Sequence, residues 1–306
     1  MILRRLAVGL LAAALLTAPA AAQPSPVQSP PVQASPDLRA EVAGFVQPTQ
    51  AARLKALTGL LDRYGLPYEI QAFDGGERGN PQKGYNVVVT LGEGDRDILL
   101  TAHYDAEKLA DGSLAGGVVD NAASVVALVH AARDLQGRKL KHRIRVIFFD
   151  QEELGLVGAR AYADGPDGKR VAAVINFDVN GYGDAPFFAD ASGPGEVTLA
   201  RSVRQGCLDA GVDCIAFARY PPSDHLAFRK IGAPATSVSI LPRGEVHQMW
   251  LFLNAGAAAG LEPGFVPRVL RLIHTPQDVM DAIEPQAIDL AARLAVRLVL
   301  AADAAH

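Results

Sequence analysis

Arg145–Tyr162, RVIFFDQEELGLVGARAY, is the stretch that decides the fold. Val146, Ile147, Phe148 and Phe149 form a continuous apolar run, the pattern of a strand covered on both faces. Asp150, Gln151, Glu152 and Glu153 stand where that strand emerges, and a helix is predicted from about Leu154. Neighbouring glutamates at a strand exit have two complementary uses. One can bind a cation while the other handles protons. The plain alternative is a solvated turn whose acids are favoured by the following helix dipole. The rest of the chain decides between them.

Working outward, the pattern alternates. Helices are predicted at 37–46 and 49–64, the second stopped by Gly65 and Pro67. Strands follow near 68–73, 86–91 and 97–102, then a helix at about 121–135 and the strand 143–149. After the helix 154–163 come strands at 171–177 and 187–190, helix 196–210, strand 214–218, helix 223–230 and strand 235–241. Segment 242–267 fits no period, and a strand at 268–273 and a helix at 285–303 close the order. Such alternation predicts a three-layer α/β fold: a mostly parallel or mixed central sheet with helices on both faces.

Residues 1–22 read as a secretory signal peptide, with Arg4 and Arg5, an apolar Leu6–Ala18 and a small-residue cleavage site at Ala20–Ala22. The Pro-, Ser- and Gln-rich 23–36 lacks the apolar surface to fold and reads as a disordered leader. Residues 37–304 then form one catalytic-sized domain. The leader predicts export, to a periplasm or outside the cell, with no membrane attachment after cleavage. Net charge is −4 and there is no basic stripe, which argues against a nucleic-acid partner. In an oxidising compartment Cys207 and Cys214 could pair, for at most about 2–3 kcal/mol from so short a loop. Two buried free thiols are the alternative.

Ligands of open α/β sheets bind beyond the carboxyl ends of the strands. The polar residues at those ends are His103-Tyr104-Asp105 after strand 97–102, Glu152 and Glu153 after 143–149, Asp178 after 171–177 and His274 after 268–273. Asp120 lies in the loop before helix 121–135. Two histidines and several carboxylates are zinc-type ligands. Each has a simpler use: Asp120 as a helix N-cap, Asp178 or His274 in a turn, His103 as a hydrogen-bonded core histidine. Their joint placement at strand exits favours the metal. In an extended chain residues i and i+2 share a side, so Asp105 can orient His103 without competing for the cation.

These residues stand in ordered motifs: His103-Tyr104-Asp105, Val119-Asp120-Asn121-Ala122-Ala123-Ser124, Phe149-Asp150-Gln151-Glu152-Glu153-Leu154-Gly155-Leu156-Val157-Gly158, Asn176-Phe177-Asp178 and His274-Thr275-Pro276-Gln277-Asp278. Together they resemble the two-zinc aminopeptidases of the aminopeptidase S and aminopeptidase Y type, over residues 85–280. That superfamily also holds glutamate carboxypeptidases and animal-type glutaminyl cyclases. The resemblance implies a zinc-exopeptidase fold with two Zn2+ per chain, one held by His103, Asp120 and Asp178, the other by Asp120, Glu153 and His274. It implies Glu152 as general base, Asp105 as the partner of His103, and Tyr220, ahead of Ser223-Asp224-His225, as donor to the oxyanion. A buried tyrosine before a Pro-Pro turn is the other reading of Tyr220. His225 reads as structural or pocket-lining.

The chain departs from the family pattern at Val119, where an acid is usual, and at Ala123-Ser124 in place of Ser-Gly. Segment 242–267, with His247, Met249 and Trp250, is longer than usual and is a candidate lid or specificity element. Charge counting agrees with two metals. Asp120, Glu153 and Asp178 bring three negative charges against four positive, and a bridging hydroxide takes up the remainder. The expected activity is an exported metallo-aminopeptidase acting on peptides with a free N-terminus. The alternative is a glutaminyl cyclase-like aminoacyltransferase with a single zinc, which the run Ser223–Lys230 favours and Gly155-Leu156-x-Gly158 disfavours. A binding module with a degenerate site is a third class, but no expected ligand is missing.

Overall fold

The apolar runs become the strands of one eight-stranded sheet. They are β1 (Tyr68–Glu77), β2 (Asn80–Leu91), β3 (Asp97–His103), β4 (Arg143–Phe149), β5 (Val171–Phe177), β6 (Ala185–Ala189), β7 (Ile215–Phe217) and β8 (Ala235–Leu241). Their spatial order is β1-β2-β4-β3-β5-β8-β6-β7. The four central strands β4-β3-β5-β8 run parallel, the pairs β1–β2, β2–β4 and β6–β8 are antiparallel, and β7 runs parallel to β6. The computed structural model describes residues 36–306 except 78, 191–192, 256–260 and 262–263. The expected signal peptide and the disordered leader, Pro36 apart, lie outside the described residues.

Period-2 alternation splits each central strand between two cores. Ile98, Leu100 and Ala102 of β3 and Val146 and Phe148 of β4 join the larger one. There they meet α1 (Leu38–Ala43), α2 (Gln50–Arg63), α3 (Ala123–Leu135), α5 (Pro194–Ala210) and α9 (Pro285–Ala305). Leu99, Ile147 and Phe149 face the opposite core, against α4 (Val157–Asp164) and α6 (His225–Lys230). With both faces covered, β3 and β5 are buried along their whole length. The expected three-layer mixed sheet is the observed one.

Three local expectations change. The β1–β2 hairpin runs to Glu77↔Asn80, because antiparallel pairing carries a polar ribbon past the body of the sheet. Helix α4 starts at Val157 and not at Leu154, since Gly155 (φ +99°) and Leu156 (φ +61°) form a left-handed turn whose N–H groups return to the Glu152 carbonyl. The strand expected at 268–273 is instead a helical turn, α8 (Val269–Leu272). Both edges of β8 are already taken by β5 and β6, so the parallel core offers that apolar run no edge. The aperiodic segment opens with α7 (Arg243–Trp250) and a wide turn, Leu251–Ala255. Cys207 and Cys214 form a disulfide joining α5 to the approach to β7. Among the described residues no helix is long and apolar enough to cross a membrane.

Candidate metal centre

The parallel strands deliver their polar ends to one place. His103 closes β3, and its Nε2 lies 3.0 Å from Asp120 Oδ1 and 3.4 Å from Asp178 Oδ1, just past β5. His274 follows α8, and its Nε2 lies 3.0 Å from Asp120 Oδ2 and 3.1 Å from Glu153 Oε2. Asp120 therefore turns one oxygen to each imidazole. Two donor sets result, His103–Asp120–Asp178 and Asp120–Glu153–His274, each with its donor atoms within 4.8 Å of one another. The structure brings together all five residues expected to bind metal, although His274 arrives from a helical turn and not from a strand.

Backbone contacts fix this arrangement. Asp120 and Asn121 are non-helical and precede α3, and the Asp120–Asn121 peptide is cis. Asp120 does not cap the helix: its N-cap, Ala122, has no side-chain bond. The Asp278 carboxylate accepts the N–H groups of Val119 (2.9 Å) and Asp120 (3.2 Å), and Asn121 Nδ2 donates to the Phe177 carbonyl at the end of β5. Asp105 accepts from Glu152 N (3.1 Å) and Glu153 N (3.2 Å), and its Oδ1 lies 3.3 Å from His103 Nδ1. Gly158 lets α4 close on the strand end: a Cβ there would meet the Asp150 carbonyl at 2.3 Å.

Four non-glycine residues among those described have left-handed φ: Gln151, Leu156, Val179 and His274. Gln151 precedes Glu152, Val179 follows Asp178, and His274 is itself a donor. For a β-branched valine this conformation is an outlier. Such strain persists only where the surroundings over-determine it, and it gathers at functional sites.

The electrostatics follow from crowding acids and imidazoles together, with His103, Asp120 and Glu153 largely out of solvent and His274 half exposed. Burial pulls the Asp120 carboxyl up, but hydrogen bonds from His103 and His274 outweigh it and hold it well below the usual range. Hydrogen bonds to Asp120 and Glu153 lift His274 to about 11. Burial and the neighbouring Asp120 push Glu153 up to about 7. Glu152 is raised well above the usual range, by burial first and then by Asp224, Asp178 and Glu153, against the pull of His103.

Tyr220 stands beside Asp178, half-buried, with its ring edge-on to His225. Its hydroxyl bonds Ser239 Oγ, which in turn donates to the Asp178 carbonyl. Burial raises its pKa. His225 is buried and belongs to neither donor set. Sequence reasoning gave no role to Asp224, whose carboxylate is fully buried with both oxygens free of hydrogen-bond partners. Burial raises its pKa, and Asp178 and Glu153 are close enough to add to that. It also missed Asp278 as the anchor of the Asp120 loop. Both stand in quoted motifs, so the signal was present.

The donor set fits zinc. Tetrahedral ligands about 2.0–2.1 Å from the ion lie roughly 3.3 Å from one another, close to the 3.0–3.4 Å observed between imidazole and carboxylate. Asp178 Oδ1 and Glu153 Oε1 are buried without a hydrogen-bond partner, as expected of atoms reserved for a cation.

The model of peptidase family M28 matches residues 86–299, which hold every donor. The chain belongs to that family. Leucine aminopeptidase 2 of Trichophyton equinum is 29% identical over 111 residues, 35% of this chain and 21% of that protein. The chain thus spans about a fifth of that relative's length. Among solved structures, a zinc aminopeptidase from Bacillus subtilis superposes with TM-score 0.66 at 15% identity, over 86% of this chain and 93% of that one. A glutaminyl cyclase from Bacteroides thetaiotaomicron superposes with TM-score 0.64 at 19% identity, over 86% and 96%. At these identities the likeness is one of fold, and M28 membership rests on the family match.

Proposed function

We propose that this M28 protein is an exported, zinc-dependent aminopeptidase that releases N-terminal residues from peptides. The observation that carries the reading is Asp120, with one carboxylate oxygen 3.0 Å from each of two imidazoles that belong to separate donor sets. In this reading His103, Asp120 and Asp178 hold one zinc ion, and Asp120, Glu153 and His274 hold the other. Zinc bound there would polarise the scissile carbonyl and supply a nucleophilic water near neutral pH.

The chain's own groups do the rest. Glu152 takes the proton of the attacking water and returns it to the leaving amine. Asp105 keeps Glu152 and Glu153 in register through their backbone N–H groups. Tyr220 leaves Ser239 and donates to the oxyanion. An apolar pocket beside Asp178, lined by Phe187, Leu241, Met249, Val269 and Ile273, receives the first side chain. The acid-rich rim attracts a charged N-terminus. Export rests on the leader sequence, and the substrate class on the family and on relatives named as aminopeptidases.

Aminoacyl anilides with free and with acetylated N-termini test this, with chelator and with zinc restored. Cleavage of the free form alone, lost on chelation, supports the reading. Equal cleavage of blocked substrates contradicts it. The likeness to glutaminyl cyclases favours a second reading, a cyclising transferase. It predicts pyroglutamate and ammonia from N-terminal glutamine, with no free amino acid released.

A further inference from the structure

Arg53 is a fully buried cation that the proposed chemistry does not use. It lies in the first turn of α2, just inside the Thr49 cap, where the helix dipole disfavours positive charge. A buried guanidinium there is tolerated only if its donors are occupied. They are. Nε donates to the Tyr104 carbonyl (2.6 Å), Nη1 to Phe45 (2.7 Å) and Gly116 (3.2 Å), and Nη2 to Asp105 (3.3 Å) and Gly117 (3.2 Å). Four of these five carbonyls belong to two loops. Tyr104 and Asp105 directly follow His103, while Gly116 and Gly117 lead into Asp120.

The second loop is pinned from both sides. Gly117 has φ +57°, and a Cβ on it would meet the Ala106 Cβ at 2.8 Å and lie 3.1 Å from both Arg53 Nη atoms. A Cβ on Gly116 would meet the Asp278 carbonyl at 2.1 Å, and the Asp278 side chain holds the N–H groups of Val119 and Asp120. The charge is also well placed, because Asp105, Asp278, Asp120 and Glu153 all lie within its electrostatic reach.

We infer that Arg53 is a positioning residue for the metal centre: its planar fork ties the His103 loop to the Asp120 loop and fixes the gap across which the two donors face one another. The inference rests on the zinc reading of that site. It concerns a residue outside the stretch matched by the family model. A lysine keeps the charge but concentrates three donors on one nitrogen, which cannot span four carbonyls on two loops. Charge and geometry are therefore separable.

The test is competitive zinc titration of the full chain against a chromophoric chelator. Wild type, Arg53→Lys and Gly117→Ala are compared well below the lowest melting temperature, with folding checked by circular dichroism. Arg53→Lys is expected to bind zinc about tenfold more weakly or worse, the lower end of the range for groups that orient metal ligands. At saturating zinc its kcat falls while KM stays near wild type. Gly117→Ala disturbs the same contact with the arginine retained, and decides the matter should Arg53→Lys not fold. Wild-type zinc affinity and kcat in the folded variant, with only a lower melting temperature, would reduce Arg53 to scaffolding and overturn the inference alone. A wild-type protein that binds no zinc would overturn the aminopeptidase reading as well.

Discussion

The Asp105 carboxylate accepts the backbone N–H of Glu152 at 3.1 Å. Its other oxygen takes the N–H of Glu153, and the group lies 3.3 Å from His103 Nδ1. One side chain thus ties the end of β3 to the turn after β4. Asparagine is nearly isosteric, but its amide nitrogen would face an N–H donor. Asp105→Asn should keep the fold and lower kcat/KM by about 10–100-fold, the usual cost of losing a group that orients a ligand. Wild-type kcat/KM in a folded variant would remove Asp105 from the machinery.

Glu152 stands next to Glu153, a member of one donor set, without belonging to either set itself. Glu152→Gln should therefore retain wild-type zinc content, measured by elemental analysis, while turnover falls by about 10²–10⁴, the range for a lost general base. Full activity in that variant would assign the proton transfer elsewhere.

Ser239 has a single proton, and it goes to the Asp178 carbonyl. Tyr220 is then the donor of the bond between the two hydroxyls, so its proton is free for an oxyanion only when it leaves Ser239. Tyr220→Phe should lower kcat by about 10²-fold with little change in KM, as for a lost oxyanion donor. A raised KM with kcat unchanged would make Tyr220 a wall of the apolar pocket instead.

A cluster outside both donor sets, Glu41 with His130 and Tyr64, sets part of the acid stability. Burial raises the Glu41 carboxyl, but hydrogen bonds with His130 (2.7 Å) and Tyr64 (2.5 Å) outweigh it, leaving it below its ordinary value of 4.5. A carboxyl depressed in the folded state contributes stability in full above the unfolded value, and loses it as pH falls through the folded one. The melting temperature should fall on acidification below about pH 4.5. Glu41→Gln should be less stable at neutral pH and show a shallower acid slope. Parallel curves for the two proteins would rule out this linkage.

The sheet was legible because its central strands are short apolar runs ending in chemistry. Phe149 hands over to Asp150–Glu153, and Ala102 to His103. The placing of His103, Glu153 and Asp178 was legible for the same reason, since parallel strands deliver their carboxyl ends to one rim, whereas Asp120 and His274 come from a loop and a helical turn. What failed was local. Val269–Ile273 is as apolar as a strand, and so short a run does not separate strand from helical turn. The free sheet edge that would decide it is a property of the whole topology. Arg53 was invisible in another way, because an arginine in an amphipathic helix reads as surface. Only its five carbonyl partners, from segments up to 64 positions away, reveal a buried clamp.

The proposed centre requires Asp120 to serve two cations at once. Zinc bound per chain, measured by elemental analysis after equilibrium dialysis, tests this most directly when wild type is read beside Asp120→Ala. Wild type should bind about two ions, as two sets of three donors require, and the variant should lose both. A single ion at saturation, or two ions that survive loss of Asp120, would contradict it.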